Sequence, residues 1–203
     1  GLQYSITAIG AMMVQSSLNI LGSFAVAAFT AGTKIETIFT QAFVAIGTTI
    51  STYNAQNIGA RKLDRVRQGF RATDLIGGVY GIAAGVILFT VGKYFAYLFI
   101  SDNADVVLPM VETYLRCVGL FMIPLYVVNC YRNGFQGMGY GMLPMLSGVA
   151  ELFGRGVMAV VAAKKKSYIL ACMASPIAWI VATFLLIVLY FYVMKDMKKK
   201  LCL

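Results

Sequence analysis

The sequence predicts an all-α membrane protein, a bundle of six transmembrane helices, and three observations carry that expectation. Of 203 residues, 60% are hydrophobic and 12% are charged, where an ordinary soluble domain carries roughly a quarter charged residues. Six uncharged runs follow one another: Gly1–Thr33, Thr37–Ala60, Leu75–Gly92, Cys117–Tyr131, Asn133–Ala150 and Ser167–Met194. Alone or with a helical extension, each reaches the ~20 residues an α-helix needs to cross a hydrocarbon core of ~30 Å. Charges gather between the runs, most densely after Gly59, where five basic residues occupy positions 61–71. Membrane strands would alternate polar and apolar residues over about 10 positions, and these runs are continuously apolar.

The expected spans, in order, are residues 2–24, 35–58, 70–99, 106–132, 141–163 and 167–194. The first is uncharged throughout. Glu36 is the last charge before the second, which closes at Gly59. Beyond it Leu63, Val66 and Phe70 recur at helical spacing while Arg61, Lys62, Arg65 and Arg67 fill the other side, an amphipathic turn lying at the headgroups and leading into the third span. Ser101-Asp102-Asn103-Ala104-Asp105 supplies turn and N-cap residues before the fourth. Turns carrying Glu112 with Arg116, and Glu151 with Arg155, extend the fourth and fifth spans. Pro124 in the fourth and Pro176 in the sixth each remove a backbone hydrogen bond and favour a kink. Gly134–Gly141 forms a tight turn keeping the fourth and fifth spans adjacent. No Pro- or Ser-rich linker divides the chain, so residues 1–203 read as a single helical unit.

A net charge of +9 would point to nucleic acid in a soluble protein; here the basic residues sit at the ends of apolar segments, so no nucleic-acid partner is expected. With the tail cytoplasmic, the inside ends hold Arg61, Lys62, Arg65, Arg67, Arg71, Arg132, Lys195 and Lys198–Lys200, while the outside ends hold Lys34, Lys93 and Lys164–Lys166. That is ten against five, the asymmetry expected of short cytoplasmic loops. The expected location is the plasma (inner) membrane with the C-terminus cytoplasmic. Cys117, Cys130 and Cys172 lie within apolar segments and Cys202 on the tail, without metal-like spacing, and read as small hydrophobes. Histidine is absent, and no nucleophile, base and orienter occur together, so neither an enzyme nor a metal or other cofactor is expected. The chain begins at the edge of an apolar run and reads as a piece of a longer one.

Several polar residues inside the apolar runs are candidates for function. Glu151 and Arg155 share one helical face, and a charge alone there costs a few kcal/mol, so they are expected to pair. The pair is either a salt bridge fixing the helix or a gate or relay. Gln15 and Asn19 are one turn apart, and Gln41, Thr48 and Thr52 recur at seven and four residues. Each stripe either hydrogen-bonds neighbouring helices or lines a cavity and meets substrate. Tyr126 and Asn129, just after Pro124, form a comparable pair. Phe121, Met122, Met12 and Met13 are either core or apolar cavity wall.

Several stretches together resemble the C-terminal half of the multidrug and toxic compound extrusion (MATE) transporters. These are Gln15-Ser16-Ser17-Leu18-Asn19, Tyr53-Asn54-Ala55-Gln56-Asn57-Ile58-Gly59-Ala60, Leu98–Asp102 with Tyr114-Leu115-Arg116, Gln136-Gly137-Met138-Gly139, Ser147–Gly156, and Ser175-Pro176. The resemblance implies one six-helix lobe of a twelve-helix transporter, with the substrate cavity between the lobes, and it implies a missing N-terminal six-helix lobe as partner. It also implies export of amphipathic or cationic small molecules by alternating access, against an inward flow of H+ or Na+. The first span holds no acid and the fourth only Glu112 near its outer end, whereas sodium-using members carry carboxylates there. That absence favours proton coupling through an aspartate of the other lobe. Two alternatives stay open: a lipid-linked oligosaccharide flippase of the same superfamily, which should present more basic residues to its cavity, and a non-transporting six-helix membrane component.

Overall fold

The computed structural model describes residues 2–97, 100 and 104–201, with side chains from residue 5 onward. Cys202, the Leu98–Asp102 motif apart from Ile100, and Ser101–Asn103 of the expected turn lie outside the described residues. Among those described, all regular structure is helical: α1 Leu2–Leu21, α2 Ser23–Gly59, α3 Leu63–Ala96, α4 Ala104–Gly119, α5 Met122–Gly137, α6 Met142–Lys165, α7 Tyr168–Cys172 and α8 Ala174–Lys200.

The breaks between helices have local causes. Gly22 takes φ +106 between α1 and α2, a left-handed conformation that only glycine adopts without strain. Between α5 and α6, Gly139 plays the same part at φ +88. The expected single fourth span, 106–132, is corrected: it is two helices, α4 and α5, bent by 54°. The expected sixth, 167–194, is likewise broken at Met173, and α8 runs on to Lys200. Pro124 and Pro176 do not kink a continuous helix. Each is the third residue of the helix after the break, as Pro144 is of α6. A first-turn N–H has no intrahelical acceptor, so proline there costs nothing and the chain bends just upstream.

By length and apolar composition alone, α3, α6 and the α7–α8 unit qualify as spans, and the α4–α5 pair makes a fourth. Among the described residues α1 is a shorter apolar helix and α2 falls outside that set, so three or four of the six expected spans meet the test of length and composition. At 37 residues, α2 is the longest helix and covers about 55 Å at ~1.5 Å per residue. Its threonines return their hydroxyls to the backbone one turn earlier: Thr37 to Thr33 at 2.8 Å, Thr48 to Val44 at 3.0 Å, Thr49 to Ala45 at 2.9 Å and Thr52 to Thr48 at 3.2 Å. Each hydroxyl is satisfied within the helix, which lowers the cost of holding it in a membrane.

Packing follows residue size. The main core gathers Phe43, Phe70, Tyr126 and Phe135 between α2, α3 and α5, with Phe70 against Tyr131 at 5.0 Å and against Tyr190 at 5.3 Å between ring centroids. A second, smaller core of Val14, Leu18, Ala25, Ala159, Ala162, Ala171 and Ala174 joins α1 to α6 and α7; small residues there let backbones approach closely. On the outside, Leu75, Ile76, Val79, Ile82 and Val86 of α3 and Phe184, Val188 and Phe191 of α8 are exposed at helical spacing, as lipid-facing surfaces require. As expected, Leu63, Val66 and Phe70 are buried while Arg61, Lys62 and Arg65 are exposed.

Gly137 closes α5 directly on the carbonyl of Ser51 in α2, where an added Cβ has no room. Gly137→Ala is expected to cost about 1–3 kcal/mol by forcing the two backbones apart. A fall in the melting temperature of the purified protein, with no such fall for Ala at the open Gly141, checks this.

Candidate functional site

Polar side chains converge on a cavity of about 430 Å³ lined by residues of α1, α2, α4, α6 and α8. On α2 the positions Thr33, Glu36 and Thr37, at i, i+3 and i+4, share one helical face and all line it, with Lys34 beside them. Glu36 accepts a hydrogen bond from the hydroxyl of Tyr114 on α4. Thr33 Oγ1 lies 3.3 Å from that hydroxyl and donates to Phe29 O at 2.8 Å. The Phe29 ring meets Tyr114 edge-on, 4.8 Å between centroids, and Gly32 leaves the space into which the Tyr114 ring fits. A carboxylate oriented by a buried tyrosine, open to a cavity, can hold a proton or balance a cation.

Arg155 of α6 lines the same cavity. Its Nη2 lies 3.3 Å from Glu151 Oε2, so the expected i,i+4 pair forms. The sequence did not reveal the third member: Arg132 of α5 donates through Nη2 to Glu151 Oε1 and through Nε to Ser147 Oγ at 3.1 Å, and Ser147 in turn donates to Pro144 O at 2.6 Å. The side chains of Arg132, Glu151 and Arg155 are 14%, 7% and 12% exposed. Arg132, expected as an inside-end charge, is thus turned into the bundle, and Arg155 is not the only basic residue deep in a span. One carboxylate serves two guanidiniums, and Arg155 Nε is buried without a hydrogen bond.

A half-buried acid lies away from this cavity. Asp74 of α3 accepts from Tyr126 at 3.1 Å and from Tyr131 at 3.0 Å, while Cys130 Sγ lies 3.4 Å from Thr73 Oγ1. This network ties α5 to α3 just after the bend.

Of the residues singled out in the sequence, the structure brings Gln15 and Arg155 to the cavity. Asn19 lies one turn from Gln15, bonded to it at 3.2 Å on an exposed face. Gln41, Thr48 and Thr52 form an exposed stripe along α2. Tyr126 is buried in the core against Asp74, and Asn129 Nδ2 donates to Leu125 O at 2.9 Å. Neither of these two lines the cavity. Sequence reasoning missed Glu36, Lys34, Tyr114 and Asp74. A signal for Glu36 existed: Ser23–Thr33 is uncharged and free of proline, so a helix entering there places Glu36 well inside.

At the opposite end, Asp196 of α8 accepts from Tyr140 of the α5–α6 turn and pairs with Lys200 at 2.7 Å. The Lys200 hydrogen bond, then that of Tyr140, holds the Asp196 carboxyl below its ordinary value of 3.8. Burial, with Asp196, pushes the Tyr140 hydroxyl up to about 12. A carboxyl depressed in the folded state contributes above its unfolded value and loses that contribution as pH falls through the folded one. Amide exchange in Lys195–Leu201, corrected for intrinsic rate, is therefore expected to stay level from about pH 8 to about pH 5 and to rise only below the ordinary carboxyl range.

The described residues thus form an all-α membrane bundle with a charged cavity among its helices. A MOP superfamily transporter from Pyrococcus furiosus, for which reversed polarity of the binding pocket is taken to suggest a different function, superposes with a TM-score of 0.84 at 18% identity, over 97% of this chain and 44% of that one. The MatE family matches residues 1–158, and the chain belongs to that family. It is 30% identical over 146 residues to the probable multidrug resistance protein YpnP of Bacillus subtilis (strain 168), covering 72% of this chain and 32% of that protein. The chain thus spans about a third of that curated relative and under half of the structural one.

Proposed function

We propose that the chain is the C-terminal lobe of a secondary active multidrug and organic-cation antiporter that works by alternating access on a proton or sodium gradient. The observation that carries this reading is Glu36, a carboxylate facing the cavity and oriented by Tyr114. A single acid that either takes a proton or balances a cation makes the two compete, and competition for one site is what an exchanger needs. The name of the Bacillus subtilis relative supports the multidrug class. The exposed polar stripe Gln41, Thr48 and Thr52 on α2 suits a wall turned toward an N-terminal lobe across a central cavity. The arginine-rich start of α3 and the lysine-rich end of α8 favour a cytoplasmic C-terminus.

The deciding experiment is ethidium efflux from proteoliposomes of the full-length protein under separate proton and sodium gradients. Efflux should follow one gradient, and efflux indifferent to both would remove the antiport reading. A second reading, export of a lipid-linked oligosaccharide, gains from one observation: Lys34 and Arg155 line the cavity and Arg132 lies directly behind it, more basic character than the sequence suggested.

A further inference from the structure

We propose that the groove between α1 and α6 binds an anionic phospholipid, with one acyl chain lying along Met13, Gly156 and Val160 and the phosphate held at Lys164 and Lys165. The inference stands apart from the transport reading, because the groove shares no lining residue with the charged cavity.

The register of two helices builds the groove. On α6, Phe153, Val157, Val160 and Val161 recur at spacings of three and four and so share one face. They line a depression of about 580 Å³ against Ile9 and Met13 of α1. Gly156 sets its floor, where an added Cβ would stand 3.0 Å from Met13 Cε. A second depression of about 220 Å³ shares Met13 and Val160 with the first and continues along Ser16, Ile20 and Ala163. Together they run from Val149 to Ala163, about 21 Å along α6 at ~1.5 Å per residue. That exceeds the ~15 Å depth of one leaflet, half of a ~30 Å hydrocarbon core. Phe153, Val157 and Val160 are exposed along it, so the described residues leave the groove uncovered.

The charge at the end of the groove identifies the occupant. Lys164 follows Val160 by four residues and Lys165 follows Val161 by four, so both stand on the grooved face of α6, with Lys166 at the helix cap. All three lysines are exposed, and among the described residues none is in an ion pair. The last carbonyls of α6 supply only about half a negative charge, which three lysines outweigh. The positive-inside asymmetry does not account for them. They lie at the far end of α6 from Tyr140, which is bonded to Asp196 in the lysine-rich end of α8. An apolar groove of leaflet depth that ends in clustered lysines complements a phosphate carried on an acyl chain, since each basic residue near the headgroups favours anionic lipid. A zwitterionic lipid fills the groove equally well but gains little at its end.

The test uses the full-length protein in nanodiscs that contain a trace of phosphatidylglycerol carrying a diazirine at the end of one acyl chain, or the matching phosphatidylcholine. Irradiation and peptide mapping then locate the adducts. Phosphatidylglycerol is expected to label Ile9–Met13 and Val149–Val157 about fivefold more than phosphatidylcholine, the factor that one lysine near a headgroup supplies. Replacing Lys164, Lys165 and Lys166 together by Gln should remove that preference, whereas Lys198→Gln with Lys199→Gln, at the other end of the bundle, should leave it intact. Val160→Trp should lower the labelling by phosphatidylglycerol about tenfold, as exclusion of two methylenes from the groove requires. Every substituted residue is exposed, so these variants keep the fold. Equal labelling by the two lipids, a preference that survives the triple replacement, or labelling unmoved by Val160→Trp overturns the proposal. A groove labelled by neither lipid, as a protein partner seated on it would leave it, overturns it as well.

Discussion

Glu151→Gln is expected to leave little folded protein in the membrane. The side chain is 7% exposed and is shared by two guanidiniums on different helices, Arg132 of α5 and Arg155 of α6. A neutral amide can still accept one hydrogen bond, but it removes the carboxylate charge that lies between the two guanidiniums. Removing one partner of a buried ion pair costs about 3–5 kcal/mol, a large part of the 5–15 kcal/mol by which a typical fold is stable. Fluorescence-detected size exclusion and a thermal melt measure the loss. Adding Arg132→Gln removes one of the two guanidiniums that share Glu151 and should recover part of the stability, so the two changes are strongly non-additive. Additive losses would mean that Arg132 and Glu151 do not form the unit seen here. Of the alternatives open for Glu151 and Arg155, this outcome favours helix fixation for Glu151, while Arg155 keeps a second face toward the cavity.

Glu36→Gln is expected to abolish gradient-driven efflux while leaving the protein folded. Glutamine keeps the shape and an acceptor for the Tyr114 hydroxyl, so the packing of α2 on α4 survives. What it lacks is the charge that a proton or a cation neutralises. Ethidium should still equilibrate across proteoliposomes containing the variant but should no longer accumulate against its gradient. A variant that couples as well as the unaltered protein would move the coupling group out of this half of the transporter. Tyr114→Phe is a milder probe, since it removes the orienting hydroxyl but not the acid, and a partial loss of coupling is the matching expectation.

Much of the architecture was legible in the chain. The all-helical character, the amphipathic start of α3, and the Glu151–Arg155 spacing all reappear in the structure, because each is local and periodic, whereas the division expected at Lys34–Glu36 falls inside the single helix α2. The bend between α4 and α5 was legible only in part. Pro124 advertised a disturbance, but proline is tolerated in a first turn, so the break falls just before it. Asp74 did not stand out, and Arg132 looked like an end-of-span charge, because a linear reading ranks a residue by its distance from the nearest uncharged run. Their partners, Tyr126 and Tyr131 for the one and Glu151 for the other, lie between 19 and 57 residues away, beyond the reach of any helical period.

The sequence by itself determined that this is an all-α membrane protein of the MATE type with basic residues clustered at the ends of its spans. Only the tertiary structure decided which charges enter the interior. α2 begins at Ser23, so Glu36 lies about 20 Å along it at ~1.5 Å per residue, and packing against α4 brings Tyr114 onto its carboxylate. The physical reason is that hydropathy is a property of segments and is written along the chain. The cost of a buried charge is instead settled by the groups around it, which helices distant in sequence supply.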